Sequence, residues 1–335
     1  MDDPAFVLRG TKPQRDRGIS LVVLLWSALG FNLAFLKAMR GRTVAWIGCQ
    51  DTVGRTWVLA TIKAERVAEL LQLTEEYLRL NVVSIKLLRS YVSKAANFAT
   101  LLFTWRPFLV EIWAAVSGSS ESSRAPNGCI WAKQIAPALR WIRAFLKSQR
   151  GSIERVYTLQ AHRGGGERVL MCTDACPWGI GAALFVNGQA VAYFAEELKD
   201  SDFKFFEAKR GDAAGQQVWE ALAILVSMRI WASVWKRSRI TLEVRSDNVT
   251  ALTMLASMRV HGRGLTIIAR ELALDIGNGV HRPDVCAHSP GVAHKVADAL
   301  SRKFAPGFSY TVPPCLADAA EVAAPSRAPN FWRSM

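Results

Sequence analysis

From about residue 168 the chain alternates short apolar runs with turn residues. RVLMCTD, GIGAALFV and QAVAYFAEE read as three strands, joined by turns at residues 177–179 and at Asn187-Gly188, a strong hairpin signal. A helical pattern follows over residues 213–235, and RITLEVRSD, residues 239–247, reads as a fourth strand. Helices are expected over 249–258 and 264–276, a fifth strand over 282–289, and a last helix opening with VAHKVADALSRKF. The order β-β-β-α-β-α-α-β-α predicts an α/β unit. From Phe304 the chain is rich in Pro and Ala, and residues 306–335 are expected to carry little fixed structure.

The first half reads differently. GRTVAWIG, residues 41–48, predicts a short strand after a glycine turn. Val67, Leu70, Leu71, Tyr77 and Leu78 recur at helical spacing, and a second helical region runs over 83–116, broken or kinked at Arg106-Pro107. SGSSESSRAPNG is a linker by composition, within residues 117–129. WAKQIAPALRWIRAFLK predicts another amphipathic helix, and RGGGER, residues 163–168, a joint near the boundary at about residue 165.

Composition adds a partner. Of 335 residues 50% are hydrophobic, enough for two cores, and Lys plus Arg total 42 against 28 for Asp plus Glu. The formal net charge of +14 favours a polyanion such as nucleic acid. The six cysteines include no C-x-x-C pair, which argues against a zinc ribbon and a secreted disulfide scaffold. MDDPAF is acidic where a signal peptide needs a basic region, so the expected location is intracellular, in cytoplasm or nucleus, and not secreted. Residues 19–36 are long and apolar enough to raise a membrane span; a buried helix or strand pair fits as well.

Four acids interrupt apolar surroundings. Asp174 ends the first strand of the second half, Glu220 lies in VWEALAIL, Asp247 ends the fourth strand in VRSDN, and Asp298 lies in VADALSR. A buried carboxylate must be paired, sit at a strand end, or bind a cation. Four such residues on elements able to pack side by side suggest a shared cation. Oxygen ligands suit Mg²⁺, with Mn²⁺ as a substitute. Two ions about 3.5–4 Å apart can activate water and stabilise the leaving oxygen of a phosphodiester.

TDACPWGIGAAL, VRSDNVTAL and SPGVAHKVADALSR, in that order with the D…E…D…D series, resemble the ribonuclease H domain of retroelement polyproteins. The resemblance covers residues 168–302, within an expected domain over 165–305, and implies a five-stranded mixed sheet with helices. It also implies Asp174, Glu220, Asp247 and Asp298 as metal ligands and Mg²⁺-dependent cleavage of RNA in an RNA–DNA hybrid. His288 stands 298 − 288 = 10 residues ahead of the last aspartate, where related domains carry a histidine that moves a proton or aids product release. The competing reading is a loop histidine without a role. His294 is read as structural. The 46-residue gap from Asp174 to Glu220 is longer than in compact members, which leaves Glu207 as the fallback ligand.

LGFNLAFLKAMRGRTVAWIG resembles the end of a reverse transcriptase palm, with Lys37 ahead of a primer-gripping hairpin, and this accounts for residues 19–36 without a membrane. In that resemblance residues 1–50 are a palm remnant, residues 51–164 a helical thumb and connection, and Asp2 and Asp3 the end of a Y-x-D-D motif rather than an ordinary acidic terminus. The other half of that site would lie upstream, so no independent polymerase activity is expected. The second function class is a catalytically inactive nucleic-acid-binding remnant held to its ligand by basic surface.

Overall fold

In the computed structural model, residues 6–46, 48–118, 125–149, 153–158, 166–237, 240–278, 282–291 and 294–334 are described. Asp2, Asp3 and the expected joint at residue 165 fall outside them. In the first half, α1 (Lys12–Ala28) precedes β1 (Thr43–Trp46), β2 (Cys49–Val53) and β3 (Trp57–Ile62). Then come α2 (Ala64–Arg79), β4 (Val82–Ser84), α3 (Ile85–Leu101), α4 (Arg106–Ser117), β5 (Cys129–Trp131), α5 (Ala132–Leu146) and β6 (Glu154–Thr158). The second half carries β7 (Glu167–Cys176), β8 (Gly179–Val186), β9 (Gln189–Glu197), α6 (Asp200–Phe206), α7 (Gln216–Ile230), α8 (Ala232–Arg237), β10 (Ile240–Ser246), α9 (Val249–Ser257), α10 (Arg263–Gly277), β11 (Val285–His288), α11 (Lys295–Ser301) and β12 (Ala320–Glu321).

The region expected to be helical also holds strands. β3 pairs antiparallel with β2 and with β6, closing a four-stranded sheet β1-β2-β3-β6, and β4 pairs with β5. WVLATI carries the β-branched signal for β3, but its partner β6 lies some ninety residues on, a pairing no local pattern reveals. The helical pattern over 83–116 breaks at residues 103–105, a 3-10 turn, and Pro107 sits in the first turn of α4, where its missing N–H costs nothing. Phe98, Trp105 and Phe145 stack between α3, α4 and α5, with Phe108 edge-on to Phe145. No residue of α1 is buried, and among the described residues no helix is long and apolar enough to cross a membrane.

The second sheet has the order β11-β10-β7-β8-β9-β12. β7, β8 and β9 form an antiparallel meander through the Asn187-Gly188 turn, while β10 runs parallel to β7 and β11 parallel to β10. The sheet is therefore mixed, and it has six strands where five were expected. Consecutive residues Ala182 and Ala183 belong to different cores, so helices cover both faces. One face packs against α7, in which every residue from Trp219 to Met228 is buried, as suits a helix apolar on all sides. The other face holds Leu300 of α11 with Tyr193 and Leu316.

The sixth strand overturns the expectation of a loose tail over residues 306–335. β12 pairs parallel with β9, covering an edge that would otherwise expose ladder groups. Arg327 then reaches Asp202 with two bonds of 2.8 and 2.7 Å, both side chains almost fully buried. Trp332 stacks on Phe205 at 4.4 Å, and Glu271 accepts from the backbone N–H groups of Arg333 and Ser334 at 2.7 Å each. Pro and Ala richness concealed this, because the order comes from a few widely spaced anchors rather than from composition.

Arg327→Met strands the Asp202 carboxylate in that buried position. The expected cost is about 3 kcal/mol in urea unfolding, the scale for removing one partner of a buried pair. A loss below about 1 kcal/mol would show that the anchor holds nothing.

Candidate metal centre

Asp174 sits inside β7 rather than at its end, opposite Gly181 of β8. Asp247 follows directly on the last residue of β10, and because β10 is parallel to β7 it emerges at the same end of the sheet. Glu220 comes from the second turn of α7, the helix packed on β7. Three independent elements thus deliver carboxylates to one point. One oxygen from each of Asp174, Glu220 and Asp247 lies within 4.8 Å of the others; Asp174 and Glu220 are buried and Asp247 is exposed. Glu207, the fallback ligand, caps α6 in an exposed ion pair with Arg263, away from this cluster.

Close approach of α11 depends on two glycines. A Cβ at Gly181 would stand 2.5 Å from the Leu300 Cβ, and one at Gly179 would stand 2.6 Å from the Ser301 carbonyl oxygen. The GIG spacing of β8, whose two glycines share one face, is what lets α11 lie directly on the sheet. Ser301 then donates to Asp174 Oδ2 at 2.5 Å. His294, buried at the start of α11, bonds through Nε2 to the Thr173 carbonyl at 2.8 Å, a structural tie next to Asp174.

Asp298 is half-exposed on α11 and is not one of the three clustered carboxylates. Its Oδ1 accepts from Arg302 Nε at 2.6 Å, one helical turn on. It stands close enough to raise the pKa of Asp174. His288, exposed at the end of β11, meets the Asp247 backbone carbonyl through Nε2 at 3.1 Å, so it stands beside the cluster.

Supporting residues escaped the sequence reading. Gln216 donates to Glu220 Oε1 at 2.9 Å and to the Ala175 carbonyl at 2.6 Å, tying α7 to β7. Ser246 lies 3.4 Å from Glu220 Oε2 and receives the Asn248 N–H, whose own side chain caps α9. The i, i+4 spacing of Gln216 and Glu220 was visible; the reach of Ser301 to a strand more than a hundred residues earlier was not.

The electrostatics demand a counter-charge. Burial lifts the Asp174 carboxyl to about 7, opposed by the Ser301 hydroxyl and reinforced by the charges of Asp247 and Asp298. Burial lifts Glu220 to about 9, reinforced by Asp174 and Asp247 and opposed by Gln216. At neutral pH this pair carries protons unless a cation replaces them. An all-oxygen donor set suits a hard divalent cation that keeps part of its water.

No protein-family model matches the sequence, and no curated protein matches it. Among solved structures, ribonuclease H1 from the halophilic archaeon Halobacterium salinarum NRC-1 is similar at 17% identity and TM-score 0.29, over 40% of this chain and 93% of that one. Foamy viral protease-reverse transcriptase in complex with RNA/DNA hybrid is similar at 12% identity and TM-score 0.33, over 92% of this chain and 36% of that one. The same viral protein with double-stranded DNA gives 14% identity and TM-score 0.31, over 82% of this chain and 51% of that one. The chain therefore spans about a third to a half of those viral chains. At such identities and TM-scores these likenesses decide nothing about chemistry, which rests on the carboxylates.

The pH dependence of stability follows with a definite sign. Both folded-state carboxyls titrate above their unfolded values, so the folded chain holds more protons and stability falls as pH rises. In EDTA the Tm is expected to drop between pH 5 and pH 9, and Mg²⁺ to restore more of it at pH 8 than at pH 5. A Glu220→Gln chain should show a shallower drop above pH 7. Equal Mg²⁺ stabilisation at both pH values would contradict the shared-cation site.

Proposed function

We propose that this chain is a Mg²⁺-dependent endonuclease of the ribonuclease H type that cuts the RNA strand of an RNA–DNA hybrid. The observation that carries this is the three-carboxylate cluster with two members buried at one end of a mixed sheet. A divalent ion there would polarise the phosphodiester and lower the pKa of a bound water. Asp174 and Glu220, fixed by Ser301 and Gln216, would hold that ion with little rearrangement. Asp247 is the exposed member, facing the solvent from which substrate comes. Asp298 would complete the ligand set by releasing Arg302 when substrate and ion arrive. His288, exposed beside the Asp247 backbone, would pass a proton to the leaving oxygen or help product away.

The wider reading is part of the same proposal. Residues 165–305 would be the nuclease domain of a retroelement polyprotein, residues 51–164 its thumb and connection, and residues 1–50 the end of a palm. The hybrid would be recognised by its shape and 2′-hydroxyls rather than by base sequence. The basic balance of the chain suits a polyanionic ligand. One feature favours the second reading, a module that binds without cutting: the Asp298 carboxylate is already engaged by Arg302.

Cleavage of an end-labelled hybrid in Mg²⁺ separates the two. The intact chain should cut only the RNA strand. Asp174→Asn, Glu220→Gln and Asp247→Asn should each lower the rate by at least about a hundredfold, the scale for losing electrostatic stabilisation at a reacting centre. Asp298→Asn should cost less than these three. Binding by the intact chain without any cutting would establish the module instead.

A further inference from the structure

Four arginines converge where the first half of the chain meets the second. Arg155 and Arg282 both lie against the Phe103 ring, their guanidinium carbons 5.2 and 4.2 Å from its centroid. Arg106 donates to the Ser257 carbonyl at 2.7 Å and Arg282 to the Ala256 carbonyl at 2.9 Å, both at the end of α9. Arg259, exposed, follows two residues beyond Ser257. The charges that act most on Arg106 are those of Arg259, Arg155 and Arg282.

A purely structural role explains part of this. The carbonyl end of α9 attracts cations: Arg106 ties the first half to the second there, and Arg282 bonds the same end from within the second half. That end carries only about half a negative charge. A half-charge offsets little of four gathered positive charges, and a polyanion is the natural ligand for such a group.

The cluster also has a fixed relation to the carboxylates. α9 starts beside Asp247 and ends at the arginines after nine residues, about 14 Å at 1.5 Å per residue. β11 makes the same journey in reverse, from Arg282 just before it to His288 at the Asp247 carbonyl. A nucleic-acid duplex presents a charge about every 1.7 Å of its axis, so one lying over the carboxylates reaches the arginines with its backbone.

We propose that Arg106, Arg155, Arg259 and Arg282 form a second, sequence-independent contact for the phosphodiester backbone of the duplex whose strand meets the carboxylates. This rests on the nuclease reading and names where the substrate is gripped away from the cut. Arg259 makes the most direct phosphate contact, since Arg106 and Arg282 spend donors on α9 and Arg155 spends one on the Leu101 carbonyl at 3.3 Å.

The test is hybrid binding by fluorescence anisotropy between 50 and 200 mM salt, with the full chain carrying Asp247→Asn so that the ligand stays intact. Each phosphate contact contributes about 0.9 to the slope of log K against log salt. Arg259→Gln is expected to reduce that slope by about one and to weaken binding about tenfold near 100 mM salt. Arg155→Gln added to it should lower the slope by about one more and bring the weakening to about a hundredfold, while Arg259→Lys keeps the slope. Arg259 is exposed, so its replacement leaves the Tm unchanged and the comparison clean. An unchanged slope in the double variant, with the parent still binding and the native chain still cutting, overturns this proposal alone. A parent that neither binds nor cuts overturns the nuclease reading along with it.

Discussion

Two carboxylates are buried within a few ångströms of each other at the end of the mixed sheet, and a third stands over them. In water Asp174 and Glu220 would ionise and separate. Inside this fold they cannot move apart, because one is part of β7 and the other belongs to a helix buried on every side. Isolated burial of a carboxylate costs several kcal/mol, and two like charges compound it. The surroundings answer with hydroxyl and amide donors from Ser301 and Gln216, which orient the acids without neutralising them. Neutralisation has to come as protons or as a cation.

That constraint explains why the neighbourhood is built so tightly. Gly179 and Gly181 give up side chains so that α11 can touch the sheet and bring Ser301 to Asp174. His294 pins the start of the same helix to the strand that carries Asp174. Behind the site, α10 is braced from both sides: Arg270 pairs with Glu111 of α4, and Arg229 of α7 bonds Glu271 and Asp275. The C-terminal segment locks onto that same helical layer through Glu271 and Trp332. A site that stores electrostatic strain needs a scaffold that does not relax, and the anchors at Arg327 and Trp332 serve that end.

How much of this the sequence disclosed depended on whether the determinant was local. The hairpin at Asn187-Gly188, the long buried helix around Glu220 and the strand ending just before Asp247 all carry local patterns, and each appears in place. Asp174, Glu220 and Asp247 stood out because each was a charge in an apolar setting, a signal of unexplained burial. The placement of Asp298 against Arg302 was not legible, since an i, i+4 ion pair and a metal ligand look alike as letters. Strand β6, the edge strand β12 and the Asp202–Arg327 pair depend on partners far along the chain, and no window of sequence contains both members. Composition misled most in the C-terminal segment, where three or four anchoring side chains outweigh a Pro- and Ala-rich background.

On this reading Asp174, Glu220 and Asp247 share a divalent cation. A crystal of the chain soaked in Mn²⁺ and measured at the manganese absorption edge tests it most directly. An anomalous peak is expected about 2.2 Å from carboxylate oxygens of Asp174 and Glu220, with Asp247 completing the protein ligands, and it should be lost in Glu220→Gln. A saturating Mn²⁺ soak that leaves those three carboxylates without a peak, while they hold protons or bonds of their own, would contradict it.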